Sequence, residues 1–509
     1  MATAKFVEGS ILKHILVMSS TAAVGISALF IVDLLDMFFL SLLGEVELAA
    51  AVGYAGTISF FTTAIGIGLS ISLGALVSRS IGAKKVEKAK RLLVNSAIVT
   101  VIVGIVVAII VMAFIPELLA MIGAKGRTAE LAANYLYILV PSLPIICLAM
   151  SLGAALRAVG DAKLSMVSTL VGGGVNAVLD PIFIFALAMN IEGAAIASVF
   201  ARLSVLMVSG HGIIVKHKLI GRFTLQGFVH DLKPIFSIAG PAMLTNVATP
   251  IGNGVITHTI ADFGDGYVAG WAVIGRLIPV SFGMIFALSG AIGPIVGQNY
   301  GALSFVRVKE TLTKALQFCF VYVLVVSLIL FFLRQEIIVL FDMKGDAANI
   351  IDFFCRYMAI FFVFSGALFV ANASFNNLGK AKYSTVLNLG KATLGTMPFV
   401  YLGAKWGGIQ GVLIGQALGS IAFGLLGIII AYRLVDKVHR AHDIKLQQQV
   451  SGGDVEAVRT LEEADFSMTT QNPLSSSCAQ MAQLTEEQDC DASIELIRMN
   501  DEARLKHNK

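Results

Sequence analysis

Three aspartates lie inside long apolar segments in the first half of the chain. Asp33 and Asp36 share one segment, and Asp180 lies in another. A carboxylate at the centre of a bilayer costs at least about 2.5–3.5 kcal/mol, so such a residue usually faces a cavity and handles ions. The competing interpretation is a protonated or hydrogen-bonded aspartate that only holds helices together. We take ion binding as the first hypothesis for all three.

The spacing of the neighbouring polar residues strengthens this hypothesis. Asn176 and Asp180 are four residues apart, so on a helix they share one face. Pro181 follows directly, and the amide hydrogen that it lacks would free backbone carbonyls as additional oxygen ligands. The predicted cation-binding and coupling residues are Asp33, Asp36, Asn176, Asp180 and Ser198.

Carboxylate, amide and hydroxyl oxygens form a hard donor set, which suits Na⁺ or a proton and suits a soft metal badly. If the ion is Na⁺, its ligands are predicted to be Asp36, Asn176 and Asp180. A transported H⁺ or Na⁺ is then the only ion required, and no bound cofactor is expected.

Other side chains in apolar segments are candidates for lining a substrate cavity. Aromatic faces bind organic cations, and methionine adapts to varied shapes. Ordinary helix packing and, for the basic residues, extension toward the membrane surface are the alternatives. The candidates are Tyr135, Tyr137, Met166, Arg276 and Lys391.

The composition predicts that these residues are held by membrane helices. Hydrophobic residues make up 57% of the 509 residues and charged residues 14%, with a mean hydropathy of +0.83. Soluble domains have roughly 45–50% apolar and about 25% charged residues, so an ordinary globular protein is excluded. No removable signal peptide is expected at the N-terminus.

Twelve apolar segments are long enough to span a bilayer, which takes about 20 residues. They lie near 15–43, 51–78, 92–115, 131–155, 164–187, 193–215, 235–261, 268–297, 311–333, 352–376, 384–404 and 409–432. The sequence therefore predicts an all-α membrane protein with twelve transmembrane helices.

Lysine and arginine concentrate in every second connection between these segments, whereas the other connections are acidic or mixed. The basic connections contain Arg79 to Arg91, Arg157 and Lys163, Lys216 to Lys233, Arg307 to Lys314, and Lys380 with Lys382. Because basic loops stay in the cytoplasm, both termini are predicted to be cytoplasmic. We expect a multi-pass protein of a bacterial inner membrane.

The two halves of the chain repeat. Residues 80–83 match 299–302 and residues 160–163 match 379–382, both at an offset of 219, and 192–194 match 410–412 at 218. Six spans with one orientation in each half predict two pseudo-symmetric six-helix lobes around a central cavity.

The predicted organisation has five parts. These are a cytoplasmic N-terminus (1–14), an N-lobe (15–216), a cytoplasmic linker (217–234), a C-lobe (235–432) and a cytoplasmic, largely disordered acidic tail (433–509). The disorder is predicted from a composition rich in polar and acidic residues and poor in aromatic ones.

Four loop sequences resemble those of the multidrug and toxic compound extrusion (MATE) family. They are Gly-Glu-Val-Glu-Leu-Ala-Ala at 44–50, Leu-Arg-Ala-Val-Gly-Asp at 156–161, Asn-Ala-Val-Leu-Asp-Pro-Ile-Phe at 176–183 and Val-Gly-Gln-Asn-Tyr-Gly at 296–301. The chain looks most similar to the branch whose cation site lies in the N-terminal lobe.

This resemblance implies export of cationic or amphipathic compounds against a gradient of protons or Na⁺. It places the cation site on Asp36, Asn176, Asp180 and Ser198, the last where the family is expected to have threonine. The chain departs from the family at Thr21, where a proline commonly bends the first helix.

Two other classes of function are alternatives to an exporter. A lipid-linked sugar flippase of a related superfamily would need a basic cavity, for which Arg276 and Lys391 are the candidates. An enzyme is not expected, because the sequence has no metalloprotease motif, paired nucleophile and base, or nucleotide-binding loop. The expected partners are a small organic molecule and membrane lipid, with no nucleic acid, and the protein is expected to be a monomer.

Overall fold

The computed structural model describes residues 3–41, 43 and 46–451. Within that range, the side chains of residues 33, 34, 37, 38, 41, 46, 49 and 448–451 are not described. The predicted disorder of the tail beyond 451 concerns residues outside this description.

All regular elements in the described part of the chain are helices. The N-terminal half contains α1 (Ile11–Ser41), α2 (Val46–Gly82), α3 (Val86–Ala113), α4 (Ile115–Met121), α5 (Gly126–Leu139), α6 (Leu143–Ala158), α7 (Ala162–Pro181) and α8 (Asn190–His211). The C-terminal half contains α9 (Leu225–Ala261), α10 (Asp265–Gly301), α11 (Phe305–Leu340), α12 (Asp346–Phe353), α13 (Phe362–Asn377), α14 (Lys382–Ala392) and α15 (Met397–Ser451). Short 3-10 or π turns extend α5, α7, α8 and α12.

Eleven helical stretches of the described chain are long and apolar enough to cross a membrane. The last of them contains two crossings, because α15 reverses at Gly408, where φ is +58° and ψ is −143°. The backbones of Gly403 and Gly411 touch, and Gly415 lies directly on the carbonyl of Phe399. Such pairing requires two antiparallel segments, so the prediction of twelve spans is confirmed.

Helix α1 is continuous through Thr21, the position where the family resemblance suggested a missing proline. The Thr21 hydroxyl donates to the carbonyls of Val17 at 2.8 Å and Met18 at 3.0 Å. Such back-bonding satisfies the hydroxyl inside the helix without removing a backbone hydrogen bond.

The internal repeat is visible in the backbone. Residues with positive φ recur at the offset of 219 that the loop sequences indicated. The pairs are Lys84 (57°) with Leu303 (62°), Gly123 (90°) with Asp342 (47°), Gly126 (56°) with Gly345 (58°), and Gly160 (78°) with Gly379 (75°). Left-handed conformations are rare outside glycine, so their recurrence shows that both halves turn in the same way.

The two lobes pack closely at one end of the bundle, which we call the basic end. This end carries loops 83–85, 159–161, 217–224, 302–304 and 378–381. A buried cluster there combines N-lobe side chains such as Leu69 and Leu92 with C-lobe side chains such as Ile235 and Ala239. The cluster nearer the opposite end, from Leu40 to Ala195, consists of N-lobe residues. The lobes therefore share a core at the basic end.

Glycines bring helices α2 and α10 into backbone contact at this seam. A Cβ atom on Gly82 would overlap the carbonyl of Gln298, and one on Gly301 would overlap the carbonyl of Arg79. Gly297 lies just as tightly against Ser78. Small residues at four-residue spacing allow this close approach of membrane helices.

The N-terminal segment is bound across the same seam. The Phe6 amide donates to Gln298 Oε1 at 2.9 Å, and Gln298 Nε2 donates to the Ala158 carbonyl at 2.8 Å. Asn299 Nδ2 and Arg307 Nη2 each donate to the Phe6 carbonyl at 3.1 Å. Because Ala158 belongs to the N-lobe and the other partners to the C-lobe, residues near Phe6 connect the two.

An ion pair between a buried aspartate and a partly exposed arginine provides another connection between the lobes. Asp231 on α9 has a side chain that is 1% exposed. It accepts hydrogen bonds from Arg91 Nε at 3.0 Å and from Asn95 Nδ2 at 2.8 Å, both on α3. These contacts, like those of Gln298, hold the basic end closed.

Asp161 stabilises the loop between α6 and α7. Its Oδ2 accepts from Lys216 at 2.7 Å and His217 at 2.8 Å, and its Oδ1 accepts from the Leu164 amide at 3.3 Å. Burial alone would raise the pKa of Asp161, but these hydrogen bonds outweigh it and hold the pKa below its usual value.

Replacing Asp161 with asparagine is expected to lower the stability of the protein by about 1–3 kcal/mol at neutral pH. A carboxylate with a lowered pKa in the folded state stabilises the protein above the unfolded pKa, and this stability is lost as pH falls through the folded value. The difference from wild type should therefore shrink as pH falls below about 4 and vanish once pH is below the lowered folded pKa. Thermal unfolding in detergent at several pH values measures it, with the exposed Asp342→Asn as control; a difference that persists at low pH contradicts the assignment.

Candidate cation site

The structure brings Asp36, Asn176 and Asp180 together inside the N-lobe. Asn176 Nδ2 donates to Asp180 Oδ2 at 2.7 Å and to Asp36 Oδ1 at 3.2 Å. The two carboxyl groups lie close enough to interact with each other. One amide thus links the acid on α1 to the acid on α7; the four-residue spacing had predicted that Asn176 and Asp180 share one helix face.

The pair is shielded from solvent unevenly. Asp180 is 0% exposed and Asn176 is 5% exposed, whereas Asp36 is half-buried. Asp180 Oδ1 is buried without a hydrogen-bond partner in the described part of the chain. A buried acceptor without a partner is costly, so this oxygen is the natural place for a proton or a small cation.

Small residues on α7 allow the two acids to meet. Gly173 faces Val32 of α1, and a Cβ there would lie 3.1 Å from the valine side chain. Gly172 touches Val205 of α8 even more closely. Helix α7 ends at Pro181 and continues as a π turn, Ile182–Ala186. The proline thus marks a change of backbone geometry immediately after Asp180, as predicted.

A second polar group lies beside the acids. Tyr135 on α5 lies beside Ser198 on α8 and within electrostatic reach of both Asp36 and Asp180. Tyr135, predicted to line the substrate cavity, therefore connects Ser198 to the acidic pair. Ser198 is placed next to the site through this tyrosine.

Arg202 is a residue near the site that the sequence reasoning missed. It lies on α8 and donates to Ser142 Oγ at 2.8 Å and to the Leu139 carbonyl at 3.3 Å. Its charge also acts on Tyr135. The signal was available, because a basic residue four positions after Ser198 shares its helix face inside an apolar segment.

The other predicted residues of the N-lobe lie apart or are not described. Tyr137 is 42% exposed, and it points away from Tyr135 because two positions on a helix differ by about 200°. Met166 is half-buried, ten residues before Asn176 and so roughly 15 Å from it along α7. Asp33 lies on α1, and its side chain is outside the description.

The two basic candidates of the C-lobe have different surroundings. Arg276 on α10 is exposed. Lys391 on α14 is half-buried, and its Nζ donates to Ser365 Oγ at 3.0 Å. Both stay candidates for the substrate cavity.

Among the residues that the structure describes, no three His, Cys, Asp or Glu side chains cluster closely enough to hold a metal ion. Two carboxyls and one amide form the smaller donor set found here. Such a set suits a single H⁺ or Na⁺.

The MatE family model matches residues 22–182 and 241–402, which is more than half of the 509 residues. The two matched stretches begin 219 residues apart, which is the offset of the internal repeat.

Curated relatives cover most of the chain. A FAD transporter of Shewanella oneidensis is 27% identical over 427 residues, covering 83% of this chain and 94% of the relative. The multidrug export protein MepA of Staphylococcus aureus is 23% identical over 442 residues, covering 85% and 96%.

Solved structures share the fold. The Vibrio cholerae MATE transporter VcmN, in an Asp-to-Asn variant, aligns with a TM-score of 0.79 at 24% identity, covering 85% of this chain and 97% of that one. A transporter of the MOP superfamily from Pyrococcus furiosus aligns with a TM-score of 0.80 at 25% identity, covering 86% and 98%.

These matches confirm the predicted two-lobe fold and the family resemblance seen in the loop sequences. The N-lobe position of the cation site stays a prediction. The chain belongs to the MatE family of multidrug and toxic compound extrusion transporters, and it is a multi-pass membrane transporter rather than an enzyme.

Proposed function

We propose that the protein is a secondary antiporter that exports organic cations or amphipathic drugs in exchange for H⁺ or Na⁺. The exchange ion binds at Asp36, Asn176 and Asp180 in the N-lobe. Asp33, Tyr135 and, next to this tyrosine, Ser198 support the site. The basic end faces the cytoplasm of a bacterial inner membrane, and both termini lie on that side.

The observation that carries this proposal is the link of two carboxyl groups through one amide, with Asp180 fully buried and Asp36 half-buried. Two charged carboxylates in contact repel each other strongly in a medium of low dielectric constant. Asp180 is fully buried with Oδ1 unpartnered in the described chain. A proton or a cation must therefore accompany the pair, and its binding and release change the charge of the N-lobe.

The orientation of the amide distinguishes the two ions. Asn176 presents Nδ2, a donor, to both acids. A proton shared with Asp180 fits this arrangement without rearrangement. A Na⁺ ion needs oxygen ligands, so the Asn176 side chain would have to turn its Oδ1 toward the acids.

Alternating access supplies the transport step. The basic end is closed by backbone contact at Gly82 and by the Asp231 ion pair. Loading of the acidic pair from the opposite side would favour opening of this seam, where substrate enters from the cytoplasm. Membrane potential contributes about 2.3 kcal/mol per charge per 100 mV to such an exchange.

The relatives leave the charge of the substrate open. One is named a multidrug export protein and another a FAD transporter, and the Pyrococcus furiosus protein is described with a binding pocket of reverse polarity. The flippase alternative would rest on Arg276 and Lys391. The buried acid pair favours the antiporter, because a flippase for a diphosphate has no need of it.

The test is efflux of a fluorescent organic cation from vesicles with an imposed pH or Na⁺ gradient. Asp36→Asn and Asp180→Asn are each expected to lose gradient-driven efflux at least about tenfold, equivalent to 1.4 kcal/mol of coupling. Asp262→Asn, in an exposed loop, serves as the control and should behave like wild type. Normal export by both site variants under either gradient refutes the proposal.

A further inference from the structure

A ladder of polar side chains joins helices α13 and α14 inside the C-lobe. Ser384 Oγ donates to Asn376 Oδ1 at 3.3 Å, and Asn388 Nδ2 donates to Asn372 Oδ1 at 3.0 Å. Lys391 Nζ donates to Ser365 Oγ at 3.0 Å, which forms the rung farthest from the basic end.

Lys391 lies deep in the membrane. It is nine residues along α14 from Lys382, which is roughly 14 Å at 1.5 Å per residue and about half of a 30 Å hydrocarbon layer. Ser365 lies at a similar depth, twelve residues or roughly 18 Å from the end of α13 at Asn377. A lysine bonded at this depth does not extend to the membrane surface, so the snorkelling alternative is disfavoured.

The charge of Lys391 has no counter-ion in the described part of the molecule. No carboxylate oxygen there lies within 4.0 Å of its Nζ, and its one hydrogen-bond partner is a neutral hydroxyl. A basic group at the centre of a bilayer costs at least about 2.5–3.5 kcal/mol. Lys391 is also only half-buried, and because a charge that faces hydrocarbon would carry this cost in full, a side open to water or to a ligand is favoured.

We infer that Lys391 recognises an anionic group of the substrate. The exported molecule would carry a carboxylate or a phosphate on an organic body, held by the C-lobe while the N-lobe exchanges its cation. This inference rests on the proposed antiporter function and names the substrate class. Ser365 and Asn388 act as positioning residues, because they hold the side chain and its helix in place.

The test compares two dyes with the same xanthene ring system and opposite charge, anionic fluorescein and cationic rhodamine 123. Fluorescence anisotropy measures their equilibrium binding to the purified, detergent-solubilised protein, which needs no ion gradient. Lys391→Gln removes the charge, Lys391→Arg keeps it, and Lys382→Gln removes the same charge from the basic end of the same helix.

Lys391→Gln is expected to weaken fluorescein binding about tenfold, the effect of one charge-assisted hydrogen bond. Its affinity for rhodamine 123 should change less, and Lys391→Arg and Lys382→Gln should both bind fluorescein like wild type. Equal weakening of both dyes would mean that Lys391 only holds the lobe together. That result, or wild-type protein that binds only the cationic dye, overturns the inference.

The coupling-site proposal and the anion-site proposal can be refuted independently. Normal gradient-driven export by both Asp36→Asn and Asp180→Asn would refute the coupling site whatever the dyes show. An unchanged ratio of dye affinities in Lys391→Gln would refute the anion site even if Asp180→Asn abolishes coupling.

Discussion

Replacing Gly82 with valine is expected to abolish export while leaving the protein folded. A Cβ atom at this position would overlap the backbone carbonyl of Gln298. Backbone atoms cannot move aside as a flexible side chain can, so α2 and α10 must separate. The closed state of the basic end would be lost, and a transporter that cannot close one side cannot complete its cycle.

Gly301 corresponds to Gly82 in the second half of the chain, so it provides a second variant for the same contact between α2 and α10. A Cβ on Gly301 would overlap the carbonyl of Arg79, so Gly301→Val should have the same effect. Gly53→Val is the matched control, because it lies on α2 as well and a Cβ there has no neighbour within 4 Å. It carries the same helix-propensity cost without the clash.

Dye efflux from vesicles and a distance measurement together check this prediction. Spin labels on cysteines at Lys163 and Val306, in a background without Cys478 and Cys490, report the separation of the lobes at the basic end. We expect a longer distance and background efflux in Gly82→Val, with both values unchanged in Gly53→Val. Wild-type efflux in Gly82→Val would show that the backbone contact is not needed for transport.

The fold was largely predictable because membrane helices can be recognised in a sequence by their length and hydropathy. The sequence predicted the reversal between 404 and 409, and the positive φ of Gly408 explains why eleven stretches contain twelve spans. The repeat was also visible in advance, since residues 160–163 and 379–382 turn through glycines with φ near 78° and 75°. Helix α15 continues to Ser451, beyond the predicted last span. The sequence did not indicate this extension, because a polar amphipathic continuation has no hydropathy signal.

The candidate site was predictable in part. The spacing of Asn176 and Asp180 placed both on one face, and the structure adds that this face meets Asp36. The proximity of Tyr135 to Ser198 was not predictable, whereas Arg202 could have been found from its place four residues after Ser198. Hydrophobic periodicity can show which face of a helix is apolar, but it does not show which neighbouring helix that face meets. The rotation of α5 and α8 is set by packing.

Replacing Asp231 with leucine is expected to disfavour the closed basic end by about 1–3 kcal/mol, the usual cost of leaving buried hydrogen-bonding groups without a partner, because Arg91 is 37% exposed and water can still solvate its charge. The carboxylate accepts from Arg91 Nε and Nη2 at 3.0 and 3.1 Å and from Asn95 Nδ2 at 2.8 Å. Leucine would leave the Arg91 charge without its partner and would free the donors of a fully buried amide. Asn95 Oδ1 already has no partner in the described chain.

The double variant separates the cost of the unpaired charge from the loss of the contact. Arg91→Met combined with Asp231→Leu removes both charges and keeps apolar volume, so it should recover much of the closed state that Asp231→Leu loses. The labels at Lys163 and Val306 measure the closed fraction, and thermal unfolding confirms that each variant is folded. If the double variant opens as far as the single one, the ion pair acts by holding the two lobes together directly. Recovery would show instead that Asp231→Leu opens the basic end mainly by leaving one charge of the pair without its partner. The adjoining contacts of Gly82 and Gln298 would then supply the closure.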